Sequence, residues 1–223
     1  MEQEKKLKVA IITHFSTKEL RDNLPLNYKR RLYVFFNRLF WEKKSIRDIS
    51  YGDISPWVTN TIFELEKRND IELYVISAHT GMKKMVADFV IRNTHYFFFN
   101  TDFTLFLKRI IKNDDLWRSL EPNTKNVNKI VKKIKPDVIN LIGADGAYFS
   151  TTILGIENIP VYVSMQTVYS NPLRKNFSDV DSKNWTTEVK IHKKEKYFGC
   201  TGKMHYDLLL NNNPNAIVFS LKF

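Results

Sequence analysis

The chain carries one cysteine, Cys200, among its 223 residues. A lone thiol excludes an internal disulfide framework and suits a reducing cytoplasm. Glycine and proline are also scarce, at seven each. No Gly-x-Gly-x-x-Gly follows the first apolar run, and no Walker A pattern occurs anywhere. Nicotinamide-dependent Rossmann oxidoreductases and P-loop enzymes are therefore disfavoured. There is no Gly-x-Ser-x-Gly elbow and no His-Glu-x-x-His pair. Cys200 and His205 are two potential ligands without partners, so no metal is expected.

Long hydrophobic runs are missing as well. The segment "YFFFNTDFTLFL" (96–107) is broken by Asn100 and Asp102 and is too short to span a bilayer. The start, "MEQEKKLKVAIITHF", has too brief an apolar stretch for a secretion signal. The expectation is a cytoplasmic protein with no transmembrane segment. Acidic residues lag behind basic ones, 24 to 35, for a net charge of +11. Such an excess favours anionic partners or serves solubility. No dense basic stripe or nucleic-acid motif accompanies it, so nucleic acid is not the expected partner.

What is present alternates between two periods. "KVAIIT" (8–13) is a continuous apolar run of the kind buried on both faces of a parallel sheet. Residues 71–79, 94–100, 137–142, 159–166 and 215–220 read as further strands. Segment 28–44 has apolar residues at 32, 35, 36, 39 and 40, a helical period on a basic background. Residues 53–70 read as a helix, with Ser55 as N-cap and Pro56 in the first position. Helices are also expected at Leu105–Ile111, 126–134, 146–154, 185–198 and 203–212. Strands alternating with helices predict an α/β, Rossmann-like three-layer sandwich with a mainly parallel sheet of six or seven strands.

In such sheets ligands bind beyond the carboxyl ends of the strands, near a reversal of strand order. That rule selects loops by position. His14 and His79 each follow a strand. Gly143-Ala144-Asp145-Gly146 ends another, with small residues and one carboxylate. Asp145 either faces a ligand or caps the helix behind it. Gln166 ends the "IPVYVSMQ" strand. Gly52 and Asp53 precede the helix at Pro56, whose free N–H groups suit an anion.

Taken in order, "GDISPWVTNTIFELEKRNDIELYVISAH", "KKIKPDVINLIGADG", "IPVYVSMQT" and "HKKEKYFGCTGKMHYDLL" resemble the N-terminal half of a GT-B glycosyltransferase, near the family 4 retaining enzymes. The start "THFST" with "RDNLPLN" looks like a bacterial polysaccharide-type subgroup. The resemblance covers nearly the whole chain and rests on the order and spacing of the motifs.

It implies one Rossmann-like, acceptor-side domain over 1–223, with a basic helical insertion at about 15–50. The full enzyme would move a sugar from a nucleotide-sugar donor to a glycan or lipid-linked acceptor. A C-terminal domain of the same polypeptide would hold the donor, and no cofactor would bind this half. Gln166 and Asp145 would take the catalytic positions. Gly52 and Asp53 would approach the donor phosphates, and His14, His79, Gly143 and Gly146 the acceptor. The basic helix would allow peripheral contact with an anionic membrane.

Two departures stand out. Many relatives end the strand with histidine where this chain has Gln166, which cannot act as acid or base. The paired glutamates of the nucleotide domain are absent. Glu64 and Glu72 have the spacing but sit on a helix and a strand. The chain is thus expected to be a domain fragment, inactive alone. Two alternatives are a binding module for an anionic polymer and a sugar-nucleotide epimerase or hydrolase relative of the same shape.

Overall fold

The fold is that of a computed structural model, which describes residues 5–28, 54–102, 116–171 and 179–221. The basic stretch from residue 29 to residue 50 and the helix expected at Leu105–Ile111 lie outside them.

Among the described residues eight strands form one sheet: β1 (Leu7–Thr13), β2 (Ile71–His79), β3 (Val86–Ile91), β4 (Thr94–Asn100), β5 (Val138–Ile142), β6 (Val161–Ser164), β7 (Tyr197–Cys200) and β8 (Ile217–Ser220). The helices are α1 (Lys18–Asp22), α2 (Pro56–Glu66), α3 (Leu116–Ile134), α4 (Ala147–Ser150), α5 (Asp179–Lys194) and α6 (Lys203–Asn212). A 3-10 turn, Thr151–Gly155, continues α4. Spatial order is β3-β4-β2-β1-β5-β6-β7-β8. All neighbours are parallel except the β3–β4 hairpin. With β3 set aside, the parallel strands follow a doubly wound order that reverses between β1 and β5.

The apolar runs explain the layering. In β1, Ala10 and Ile12 face one layer while Ile11 faces the other, as the two-residue period of a strand requires. On the first side, Val127, Ile130, Val131 and Ile134 of α3 join Ile153, Ile191 of α5 and Leu209 of α6 over the sheet. On the second, Leu20 of α1 and Val58 and Ile62 of α2 pack on Val75 and Phe98. The expected three-layer, mainly parallel α/β sandwich is therefore present.

The sheet has eight strands rather than six or seven. β3, VADFVI, is apolar at five of its six positions but is a half-exposed edge strand, and the sequence reading did not assign it. β7 is only four residues long and follows α5 closely. The sequence predicts a helix through Phe198, but α5 ends at Lys194, where the Lys194 ammonium donates to the carbonyls of Ile153 and Ile156 at 2.6 and 2.7 Å. Helices α3 and α5 also begin earlier than expected, α3 with Pro122 inside it. No helix among the described residues is long and apolar enough to cross a membrane.

Immediately after β1 the chain is pinned to β2. The fully buried Ser77 hydroxyl accepts from Phe15 N–H at 2.9 Å and donates to the Phe15 carbonyl at 2.8 Å. This fixes where residue 14 leaves the sheet. Ser77→Ala leaves the Phe15 amide buried and unpaired, and is expected to lower the unfolding free energy by about 1–3 kcal/mol in urea denaturation.

Candidate functional site

The strand-order reversal leaves an opening above the carboxyl ends of β1 and β5. A cleft of about 330 Å³ fills it. Its walls include Thr13 and His14 after β1, Gly143, Asp145 and Gly146 after β5, and Gln166, Thr167 and Tyr169 after β6. Ser55 and Trp57 come from α2, Tyr148 and Phe149 from α4, and Asn184 from α5.

Each wall is held by identifiable bonds. The segment after β1 pairs with the start of α2 through Ile54 N–H to the Ser16 carbonyl at 2.9 Å. Ser55 does not cap α2. Its backbone is left-handed (φ 55, ψ 63), whereas an N-cap needs extended geometry. Its hydroxyl instead donates to the His14 carbonyl at 2.9 Å. This ties the helix to the cleft and sets Trp57 at its mouth, with 49% of the residue exposed.

The glycines of the β5 loop have separate reasons. Gly143 has φ +86, a region that L side chains rarely adopt, and the Asp145 carboxylate lies beside it; a Cβ at 143 would sit 2.8 Å from Asp145 Oδ1. At Gly146 a Cβ would meet the Phe149 ring at 2.2 Å. The residue at the N-cap of α4 is Gly146, without a side-chain cap bond. The first amide of that helix, Ala147 N–H, donates to Asn184 Oδ1 at 3.3 Å. Asp145 therefore lines the cleft and is not the cap of α4.

His14 and Tyr148 meet across the cleft floor. Their rings are edge to face, with centroids 5.2 Å apart, and the phenol is hydrogen-bonded to His14 Nδ1. Burial, reinforced by the Asp145 charge, pushes the Tyr148 pKa up, so the hydroxyl keeps its proton and donates it. Burial pulls His14 below its usual 6.5. The pair is an imidazole beside a neutral phenol, and in the Nε2–H tautomer the phenol donates to Nδ1. The Asn123 side chain, itself fully buried in α3, donates to the Tyr148 carbonyl at 2.8 Å and fixes this arrangement.

The cleft thus gathers His14, Gly143, Asp145, Gly146 and Gln166. His79 is not among its lining residues. It ends β2, on the far side of β1 from the reversal, and its ring stands edge to face on Phe98. Gly52 and Asp53 lie outside the described residues. The sequence reading did not single out Trp57, Tyr148, Tyr169 or Asn184; Trp57, Tyr148 and Asn184 lie within helices, where aromatic and amide residues carry no positional signal, and Tyr169 lies in the loop after β6. Cys200 is buried, with its thiol pushed up to about 11 by that burial, which removes it as a nucleophile. Among the described residues no three His, Cys, Asp or Glu side chains converge as metal ligands.

No protein-family model matches the chain, and no curated protein matches it in sequence. Among solved structures it is similar to a trehalose-6-phosphate synthase studied for glycosyl transfer with retention, at 12% identity and a TM-score of 0.44. The likeness covers 73% of this chain and 41% of that one, so the chain spans less than half of that structure's length. A likeness this slight carries no argument about function.

The His14–Tyr148 pair makes a checkable prediction. Nitrogen-15 NMR should find His14 as the neutral Nε2–H tautomer at pH 6.5, titrating below the free value. Tyr148→Phe removes the donor that favours the neutral ring, so it should move the His14 titration upward in pH.

Proposed function

We propose that the cleft binds a saccharide, and that the chain is the acceptor-side half of a glycosyltransferase taking its sugar from a nucleotide donor. One observation carries this reading. The protein has a net charge of +11, yet no lysine or arginine is among the described residues lining the cleft. Its polar groups are a carboxylate, two amides, hydroxyls and a neutral imidazole, set among Trp57, Tyr148, Phe149 and Tyr169. A phosphate would meet the Asp145 charge with no cation among the described lining residues to offset it. A sugar offers hydroxyls to carboxylate and amide, and a C–H face to an aromatic ring.

In this reading Asp145 accepts the hydrogen bond of the reacting acceptor hydroxyl. Gln166 orients neighbouring hydroxyls as donor and acceptor together. Transfer joins the acceptor oxygen to the donor's anomeric carbon and releases the nucleotide with its phosphates. The donor would be held by a second domain of the same polypeptide. The family 4-like, bacterial polysaccharide-type assignment and a glycan or lipid-linked acceptor are supported by the order of the sequence motifs. Peripheral contact with an anionic membrane is supported by the basic apolar segment 28–44.

Saturation-transfer NMR and calorimetry with a panel of mono- and disaccharides test the reading. At least one should bind, and Trp57→Ala and Asp145→Asn should each weaken it about tenfold or more. Losing a hydrogen bond to a charged group costs about 1.5–3 kcal/mol, and about 1.4 kcal/mol is tenfold in affinity. Absence of saccharide binding, together with tight, steeply salt-dependent binding of random oligonucleotides, would instead establish the anionic-polymer module.

A further inference from the structure

Behind the cleft lies a buried carboxylate for which the proposed sugar site has no direct use. Glu188, on α5, is fully buried. Its Oε2 accepts from the backbone N–H groups of Tyr169 and Ser170 at 2.7 and 2.8 Å. Its Oε1 is buried with no hydrogen-bond partner. That oxygen lies 3.7 Å from His192 Nε2, which is likewise buried and without a hydrogen bond. His192 Nδ1 accepts from the Asn212 amide of α6 at 3.0 Å, so the ring carries its proton on Nε2, directed toward the carboxylate. Burial holds this imidazole neutral, down at about 4.

The loop so held is the one that follows β6. Its residues Gln166, Thr167 and Tyr169 form one wall of the cleft. We infer that Glu188 is a positioning residue: its carboxylate clamps the backbone at Tyr169 and Ser170, keeps that wall in its ligand-ready shape, and releases it on protonation. This rests on the reading of the cleft as a saccharide site, and names a control on that same site.

Several groups set the charge on Glu188. Burial opposes ionisation, and the Asp145 charge from the β5 loop opposes it further. The Ser170 and Tyr169 amides favour it, as does the Ser170 side chain. The balance lifts Glu188 from 4.5 to about 7. A neutral carboxyl is a weaker acceptor for the two amides, and its own proton faces the Nε2–H of His192 with nothing to receive it. The sign for stability is opposite to that for binding. A folded value above the unfolded one means that ionising Glu188 between pH 4.5 and about 7 destabilises the fold. His192 acts in the other direction, between about 4 and 6.5.

Amide NMR of the intact chain from pH 5.5 to 8.5 tests the clamp without any ligand. The Tyr169 and Ser170 protons should move downfield together as pH rises, with a shared midpoint near 7. In Glu188→Gln both should stay flat. Wild-type amides that ignore pH, or that titrate equally in the variant, would overturn the proposal. Urea unfolding gives a second measure, in which Glu188→Gln should be at least as stable as wild type at pH 8 relative to pH 5.5. A uniform loss of stability at both pH values would mark Glu188 as merely structural. Any saccharide that binds in the panel above should bind wild type about tenfold more tightly at pH 8 than at pH 6, the ratio of ionised fractions for a midpoint near 7. The variant should lack that rise. Titrating amides with pH-independent saccharide binding would remove the control on the site. If no saccharide binds at any pH, the sugar reading falls while the amide titration still decides the clamp.

Discussion

Strand β1 pairs in parallel with β2 on one side and with β5 on the other, and the loops leaving β1 and β5 cannot fill the space between them. Their helices diverge to opposite layers, α1 and α2 after β1 to one, α4 and its 3-10 continuation after β5 to the other. That divergence creates the crevice. Every described wall of the cleft is a consequence of it. His14 leaves the end of β1, and Gly143 to Gly146 leave the end of β5. Gln166 arrives from β6, whose pairing with β5 continues as Gly143 N–H to the Ser164 carbonyl at 3.0 Å.

Around this opening the protein uses buried and part-buried polar groups to fix backbone. Ser77 pins Phe15, Asn123 pins the Tyr148 carbonyl, Ser55 ties α2 to His14, and Glu188 clamps Tyr169 and Ser170. Such groups are costly when unpaired, which makes each bond specific for one geometry. Glu188 is the extreme case, because a buried charge draws on stability to define a loop. The trade is common at sites where a wall must be rigid yet releasable.

The chemical character of the cleft comes from what its neighbours exclude. The chain is net basic, yet no lysine or arginine is among the described residues of these walls. Burial holds His14 and Tyr148 neutral, leaving Asp145 as the carboxylate among the lining residues. That composition of the described walls is the ground of the saccharide reading proposed for the cleft. The glycines of the Gly143–Gly146 loop make space for a carboxylate and an aromatic ring of the protein itself, and do not cradle an anion.

The sequence alone was enough to determine the parallel strands, because "KVAIIT", "ELYVISA" and "DVINLI" are apolar runs whose length and period are local properties. It also placed His14, Asp145 and Gln166 beyond the ends of their strands, since a strand's carboxyl end can be read from its last apolar residue, and the three line one cleft. It could not place β3 or β7, one half-exposed and the other four residues long. Nor could it decide that Asp145 lines the cleft instead of capping α4, or that Ser55 turns toward His14. The tertiary structure alone brought Tyr148 to His14 across 134 residues, added Trp57, Tyr169 and Asn184, and left His79 aside. These outcomes depend on strand order and on which helix packs over which strand, and neither leaves a mark within any single stretch of chain.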